Sequence, residues 1–317
     1  MDKIRIGVVG IGHLGTYHLQ KYQKLQAAEI VGVSDVLEER SLQAGRLFGC
    51  PSFRDYREMA DVVDAVSIAV PTAAHYGVAK AFLEAGVDVL LEKPLAATVA
   101  EAKELVALAQ NHGAIFQIGF VERFNPAVLA LEKVMDRPLF IEAHRLHPFF
   151  TRGTDVDVIL DLMIHDLDII MKFVNSPLVD VAAVGVHVLS DRVDIANARL
   201  SFKSGCVANV TASRVTGKTM QKVRFFSVNG YHTIDYGKRE LVSLSKKANC
   251  NCGGQAEIVQ NHVELLQHDP LEEEIRSFLE AVAGRTKPLV SGGDALVSLE
   301  VAETILQKMQ TTAEMNS

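Results

Sequence analysis

The chain has 317 residues, about two domains' worth, and 48% of them are apolar, enough for a substantial core. A net charge of −7 argues against a general nucleic-acid role. No stretch approaches the roughly 20 apolar residues of a membrane span, and an apolar run begins at Ile4 with no leader-like segment, so a soluble, cytoplasmic protein is expected.

In chain order, "IRIGVVGIGHLGTYH" comes first. Ile4, Ile6, Val8 and Val9 read as a buried parallel strand over 4–9. Gly10, Gly12 and Gly15 follow at the spacing G-x-G-x-x-G. A helix over about 13–25 then carries Leu14, Leu19, Tyr22 and Leu25 near helical spacing. The glycine pattern is weak alone. Between a strand and a helix it predicts a turn that brings a pyrophosphate to a helix N-terminus, with the backbone of Gly12, His13 and Leu14 beside it. A second strand, 29–34, ends on Asp35, 20 residues past Gly15. An acid there accepts from a ribose diol and repels a 2′-phosphate, which favours NAD; Arg40 nearby leaves NADP open.

Strand patterns at 65–70, 87–91 and 114–119 alternate with helix patterns at about 37–48, 55–61, 73–85 and 98–112. That alternation predicts a doubly wound parallel sheet with right-handed crossovers over residues 1–121. Ligands on such sheets lie beyond the carboxyl ends of the strands. The segments there are "VPTAAH", with Pro71, Thr72 and His75, then "EKP" at 92–94, then "GFVERFNP" at 119–126. Lys93 follows a strongly apolar strand and precedes Pro94, which restricts its backbone. A lysine so placed can donate to a substrate oxygen while a hydride leaves the adjacent carbon. Glu92 can hold that lysine or contact a cofactor.

From residue 122 to 317 the pattern changes. A helix at 126–135 and a strand, "LFIEAHRLH", precede a long helix at about 156–174. Consecutive strand-like runs then predict a mostly antiparallel sheet, and two helices, about 271–284 and 293–311, close the chain, with Asp294 a candidate N-cap for the second. The helix "DVDVILDLMIHDLDIIMKFV" is apolar over most of its surface. Asp157, Asp161, His165, Asp168 and Lys172 recur at steps of 4, 4, 3 and 4, one polar stripe on an otherwise buried helix. Burying such groups costs several kcal/mol unless they are paired or solvated, so the stripe is expected to line a reaction cleft. His165 would exchange a proton near neutral pH, and Asp161, one turn earlier, would orient it. A structural ion-pair seam is the plainer alternative. Of four cysteines, Cys50, Cys206, Cys250 and Cys252, only the last two are close. With His262 and His268 downstream they fit no common zinc spacing, so no metal is expected and a polar loop is the simpler reading.

Together, "GIGHLGTYH", Asp35, "VPTAAH", "EKP", "GFVERFNP" and "DLMIHD" resemble the Gfo/Idh/MocA family of NAD(P)-dependent oxidoreductases over essentially the whole chain. The resemblance implies a Rossmann domain, then an α+β domain whose open sheet builds homodimers or homotetramers. It implies hydride transfer between nicotinamide and a sugar, cyclitol or related alcohol carbon. Lys93 would polarise the reacting oxygen, His165 would accept the proton with Asp161 beside it, Thr72 and His75 would line the cofactor channel, and Arg123 and Asn125 the substrate cleft. Many members carry two glycines at the positions of Val156 and Asp157, a departure that touches substrate contacts. "GHLGTYH" with "VILDLMIHDLD" is more similar to the branch acting on the 3-hydroxyl of UDP-N-acetylglucosamine, on the way to a 3-amino sugar of lipid A. A diphosphate there calls for cations; "HRLHPFFTRGTD" and "SRVTGKTMQKVR" supply them, Arg152 and Arg214 first. Another sugar or cyclitol as substrate, a reductase working in reverse, and a non-catalytic NAD-binding sensor stay open.

Overall fold

The computed structural model describes residues 3–149, 156–246, 258–261 and 263–315. The chain forms two compact units. The first holds residues 1–121 together with 269–299; the second holds 122–268 and the chain from Glu300 on. The chain passes from the first unit to the second after Val121. The second unit, however, does not run unbroken to the C-terminus as expected, because 269–299 returns to the first.

In the first unit six parallel strands lie in the order β3-β2-β1-β4-β5-β6. They are β1 (Ile4–Val9), β2 (Ala28–Ser34), β3 (Ser52–Phe53), β4 (Ala65–Ile68), β5 (Asp88–Glu92) and β6 (Phe116–Gly119). The order reverses between β1 and β4, which makes that gap the switch point where such sheets take ligands. Helices α1 (His13–Tyr22), α2 (Glu38–Phe48), α3 (Thr72–Glu84) and α4 (Val99–His112) supply the crossovers. The two-residue β3 escaped the sequence reading, being too short to carry a period. The expected helix at 55–61 is a single 3₁₀ turn, Tyr56–Met59.

The returning segment brings α7 (Pro270–Gly284), capped by Asp269, whose side chain accepts from the Glu272 N–H at 3.0 Å. Ile275, Phe278 and Leu279 on α7 share one core with Ile6, Val8, Leu19 and Tyr22. Burying such side chains stabilises by about 1.5–3 kcal/mol each, so α7 completes the core rather than decorating it.

In the second unit eight strands lie in the order β14-β13-β12-β11-β7-β10-β9-β8. They are β7 (Pro138–Leu146), β8 (Leu178–Val186), β9 (Ile195–Phe202), β10 (Val207–Ser213), β11 (Met220–Ser227), β12 (Gly230–Asp235), β13 (Glu240–Lys246) and β14 (Ile258–Asn261). All pairs are antiparallel except β7 with β10. Alternate residues of β7, such as Ile141, Ala143 and Arg145, are buried, and the residues between them lie on a partly open face. The expected helix at 126–135 is shorter, α5 (Pro126–Leu131). The long helix expected at 156–174 begins at residue 158 and is not α-helical throughout: a π turn, Ile159–Met163, runs straight into α6 (Ile164–Val174). The last helix, α8 (Gly292–Met315), is capped by Ser291, not by the expected Asp294. The Ser291 hydroxyl accepts from the Asp294 N–H at 3.3 Å, and the Asp294 carboxylate accepts from the Ser291 N–H at 2.9 Å.

Candidate active site

The glycine turn of the first unit is built for close approach. Gly10 has φ +87°, and a Cβ there would stand 2.6 Å from the Ala69 carbonyl oxygen. A Cβ on Gly15 would fall 1.8 Å from the Gly10 carbonyl oxygen, so helix and turn touch through bare backbone. A Cβ on Gly12 would meet nothing within 4 Å. The space above Gly12 is therefore open, as a bound pyrophosphate requires. Helix α1 starts at His13 with no side-chain cap and no acid in its first turn, leaving its N-terminal N–H groups directed at that space. His13 and Leu14 are exposed beside it. The Asp35 carboxylate accepts from the Ile11 N–H at 2.6 Å and the Leu37 N–H at 2.8 Å. Each carboxylate oxygen has a second lone pair for a ribose hydroxyl. These residues fit NAD.

Across the switch point, Pro71 precedes α3 and Thr72 opens it, half-buried. His75 does not open onto a cofactor channel, which corrects that expectation. It is 1% exposed, with Nδ1 2.7 Å from the Pro94 carbonyl oxygen and Nε2 2.9 Å from that of Val70. Burial pushes its pKa down against the pull of those carbonyls. Its ring ties the end of β4 to the Lys93–Pro94 turn, whose peptide bond is cis. Lys93 itself is half-buried at that turn. Glu92 is buried, and its Oε1 lies 2.9 Å from Nε2 of a fully buried His18. His18 was missed in the sequence. Its signal was its place on the buried face of α1, with Gly15, Leu19 and Tyr22.

In the second unit, Asp161 lies in the π turn and His165 in the first turn of α6, both half-buried. The rest of the polar stripe is divided. Asp168 is 1% exposed and takes Arg123 in a two-pronged pair at 2.5 and 2.9 Å. Asp166, off the stripe, takes Arg145 at 2.9 and 3.2 Å. Tyr236 lies under the Arg145 guanidinium, 4.8 Å from its ring centre. The seam is thus part ion-pair framework and part accessible pair.

Several expected substrate contacts are corrected by the same geometry. Arg123 is buried against Asp168. Asn125 caps α5, accepting from the Ala127 N–H at 3.1 Å and donating to the Tyr236 carbonyl at 3.2 Å. Asp157 accepts from the Val193 N–H at 2.9 Å. Arg214 is 1% exposed and pairs with Asp194 at 2.9 Å, so it is no surface cation for a diphosphate. These side chains were read as reaching for ligand, and their partners hold them in the framework instead; apart from the local Asn125 cap on Ala127, those partners are too distant in sequence to be inferred. Lys218 is exposed, whereas Lys222 and Arg224 pair with Asp235 and Glu142. Arg152, Cys250, Cys252 and His262 lie outside the described residues; His268 bonds the Phe124 carbonyl at 2.9 Å. Among the described residues no cluster of His, Cys, Asp or Glu suits a metal ion, and no helix is long and apolar enough to cross a membrane.

Both units resemble known proteins. A model described as an oxidoreductase family with an NAD-binding Rossmann fold matches residues 4–120, and one for the GFO/IDH/MocA C-terminal domain matches residues 131–232. UDP-N-acetylglucosamine 3-dehydrogenase of Acidithiobacillus ferrooxidans is 36% identical over 296 residues, 93% of each chain. The scyllo-inositol 2-dehydrogenase (NAD(+)) of Bacillus subtilis is 27% identical, over 94% of this chain and 92% of its own. A solved structure of the Acidithiobacillus enzyme is similar with a TM-score of 0.91 at 34% identity, covering 98% of this chain and 99% of that one.

Proposed function

The chain belongs to the Gfo/Idh/MocA family of NAD-binding oxidoreductases, and on that premise we propose that it oxidises the 3-hydroxyl of UDP-N-acetylglucosamine to a ketone. The observation that carries this reading is the 36% identity, sustained over 93% of both chains, to an enzyme named for that reaction. The product would feed a 3-amino sugar of the lipid A type.

Bound NAD supplies the hydride acceptor. Gly12 and the uncapped start of α1 would hold its pyrophosphate, and Asp35 its ribose. Lys93, anchored by Pro94 and by the His75 bridge, donates to the reacting oxygen and stabilises the alkoxide as charge develops there. His165 takes the hydroxyl proton, and Asp161 supports the charged ring. With Arg123, Arg145 and Arg214 committed to buried carboxylates, the diphosphate falls to Arg152 and to exposed Lys218. The partly open face of the eight-stranded sheet supports a homo-oligomer.

The test is a panel of alcohols with NAD, read by NADH absorbance: UDP-N-acetylglucosamine, free N-acetylglucosamine, inositols and hexoses. UDP-N-acetylglucosamine is expected to lead. A faster free sugar or inositol would overturn the nucleotide reading, and turnover on none would favour a non-catalytic sensor. Lys93→Ala and His165→Ala are each expected to lower kcat by about 10²-fold or more, the scale of a lost general base or electrostatic stabiliser, with NAD affinity nearly intact by fluorescence titration. Full activity in either variant would remove that residue from the mechanism.

A further inference from the structure

A buried chain of contacts in the second unit ends at the entry to the segment carrying Asp161 and His165. Asp194, the residue before β9, is fully buried. Its Oδ2 accepts from the N–H groups of Val188, Leu189 and Ser190 at 2.9, 2.6 and 2.9 Å. Its Oδ1 accepts from the Ser190 hydroxyl at 2.6 Å and from Arg214 Nε at 2.9 Å. Burial pushes this carboxyl up, but those donors outweigh it and hold the group well below the usual carboxylate range. It is a fixed anion with a fixed orientation.

Arg214 leaves the end of β10 and carries that orientation onward. Its Nη1 donates to the Val156 carbonyl at 3.0 Å. From the β8–β9 turn, the Val193 N–H donates to Asp157 Oδ1 at 2.9 Å, and the Val193 carbonyl accepts from the Val158 N–H at 3.0 Å. Three consecutive residues, 156–158, are therefore each pinned. The Asp157 carbonyl then accepts from the N–H groups of Leu160 and Asp161, at 3.0 Å each. The residue whose side chain is clamped is thus the one that launches the π turn. A π turn is a rare geometry, and it recurs at functional sites.

We propose that Arg214, Asp194 and Asp157 are positioning residues that fix the π turn and so set the direction in which Asp161 and His165 present their side chains. The inference rests on the proton-acceptor role assigned above to His165. It gives Asp157 and Arg214, first read as substrate contacts, a role that acts through the helix instead.

The test uses the full-length protein with NAD bound. Asp157→Ala removes the acceptor for Val193, while Asp157→Asn keeps Oδ1. Asp157→Ala is expected to lower kcat about tenfold or more, since a misplacement near 1 Å can cost about 10²-fold, to leave KM for NAD unchanged, and to shift the His165 ring signals in a ¹H–¹⁵N spectrum. Asp157→Asn is expected to restore both kcat and the ring signals. Arg214→Lys, which keeps the charge but loses the reach to Val156, is the second variant should Asp157→Ala fail to fold, and should shift the same signals. A lower melting temperature with wild-type kcat and wild-type ring signals would reduce the clamp to a structural role and overturn the proposal. Asn as damaging as Ala would also overturn it, because charge rather than the clamp would then matter. If no alcohol is turned over, the ring signals alone decide, so failure of the substrate reading and failure of the clamp are distinguishable.

Discussion

Gly12 and Gly15 look alike in the motif but differ physically. A methyl group on Gly15 would collide with backbone, the Gly10 carbonyl oxygen at 1.8 Å, whereas one on Gly12 meets open space. Gly15→Ala should therefore destabilise the fold by about 1–3 kcal/mol of overpacking, seen as a lower melting temperature, and abolish NAD binding. Gly12→Ala should leave the melting temperature at its wild-type value yet weaken NAD about tenfold or more, roughly 1.4 kcal/mol, because only the ligand meets the added methyl. Calorimetry and NADH fluorescence titration separate the two; equal melting losses in both variants would contradict the assignment of the space above Gly12 to pyrophosphate. His75 is a similar lesson at one position: its motif suggests a ligand contact, and both ring nitrogens instead face backbone carbonyls.

Helix α7 places a carboxyl where none is comfortable. Glu274 is fully buried, and neither of its side-chain oxygens has a hydrogen-bond partner among the described residues. Burial, reinforced by the charge of Glu92, pushes its pKa well above the usual glutamate value. The native state thus holds this proton more tightly than the unfolded chain does. The stability linked to it is fully present below the unfolded value, about 4.3, and is lost as pH rises toward the native value. Glu274→Gln, a mimic of the protonated form, should match wild type near pH 4 and melt higher near pH 8, by about 2–4 °C for each kcal/mol relieved. A gap that does not change with pH would mean that the carboxyl is ionised in the fold. The sequence announced α7 as a helix but not its destination, since the Gln117 side chain and the Glu274 carbonyl it bonds are 157 residues apart. The polar stripe was legible in the same partial way. The spacing of Asp161 and His165 is local and could be read. The pairing of Arg123 with Asp168, 45 residues apart, and of Arg145 with Asp166, 21 apart, is set by the fold and could not. Nor does the sequence display the π turn, because the same apolar run suits an α-helix.

Across the whole molecule, the eight-stranded sheet keeps one partly open face. On it Phe140, Phe226 and Tyr231 stack across neighbouring strands, with ring centres 5.6 and 4.8 Å apart. Glu142 and Arg224 lie on the same face as an ion pair at 3.3 Å. A broad face of mixed aromatic and charged groups suits a second copy of the chain, given that a stable interface needs about 800 Å² per partner. Light scattering should find a dimer or tetramer, and Phe226→Glu should shift it toward monomer while NAD binding persists; a wild-type monomer would refute the arrangement. The glycine turn, Asp35 and the strand–helix alternation were legible because each depends on neighbours in sequence. The return of residues 269–299 was not, because nothing in an amphipathic helix names the core it joins. That return has a consequence for biosynthesis. As the polypeptide leaves the ribosome, residues 1–121 emerge without Ile275, Phe278 and Leu279, which follow only after the whole of residues 122–268. Its nascent sheet must wait with a bare apolar flank while the intervening 147 residues, Glu122–His268, are translated. A premature stop late in the message would therefore damage coenzyme capture before it touched any strand of the second sheet.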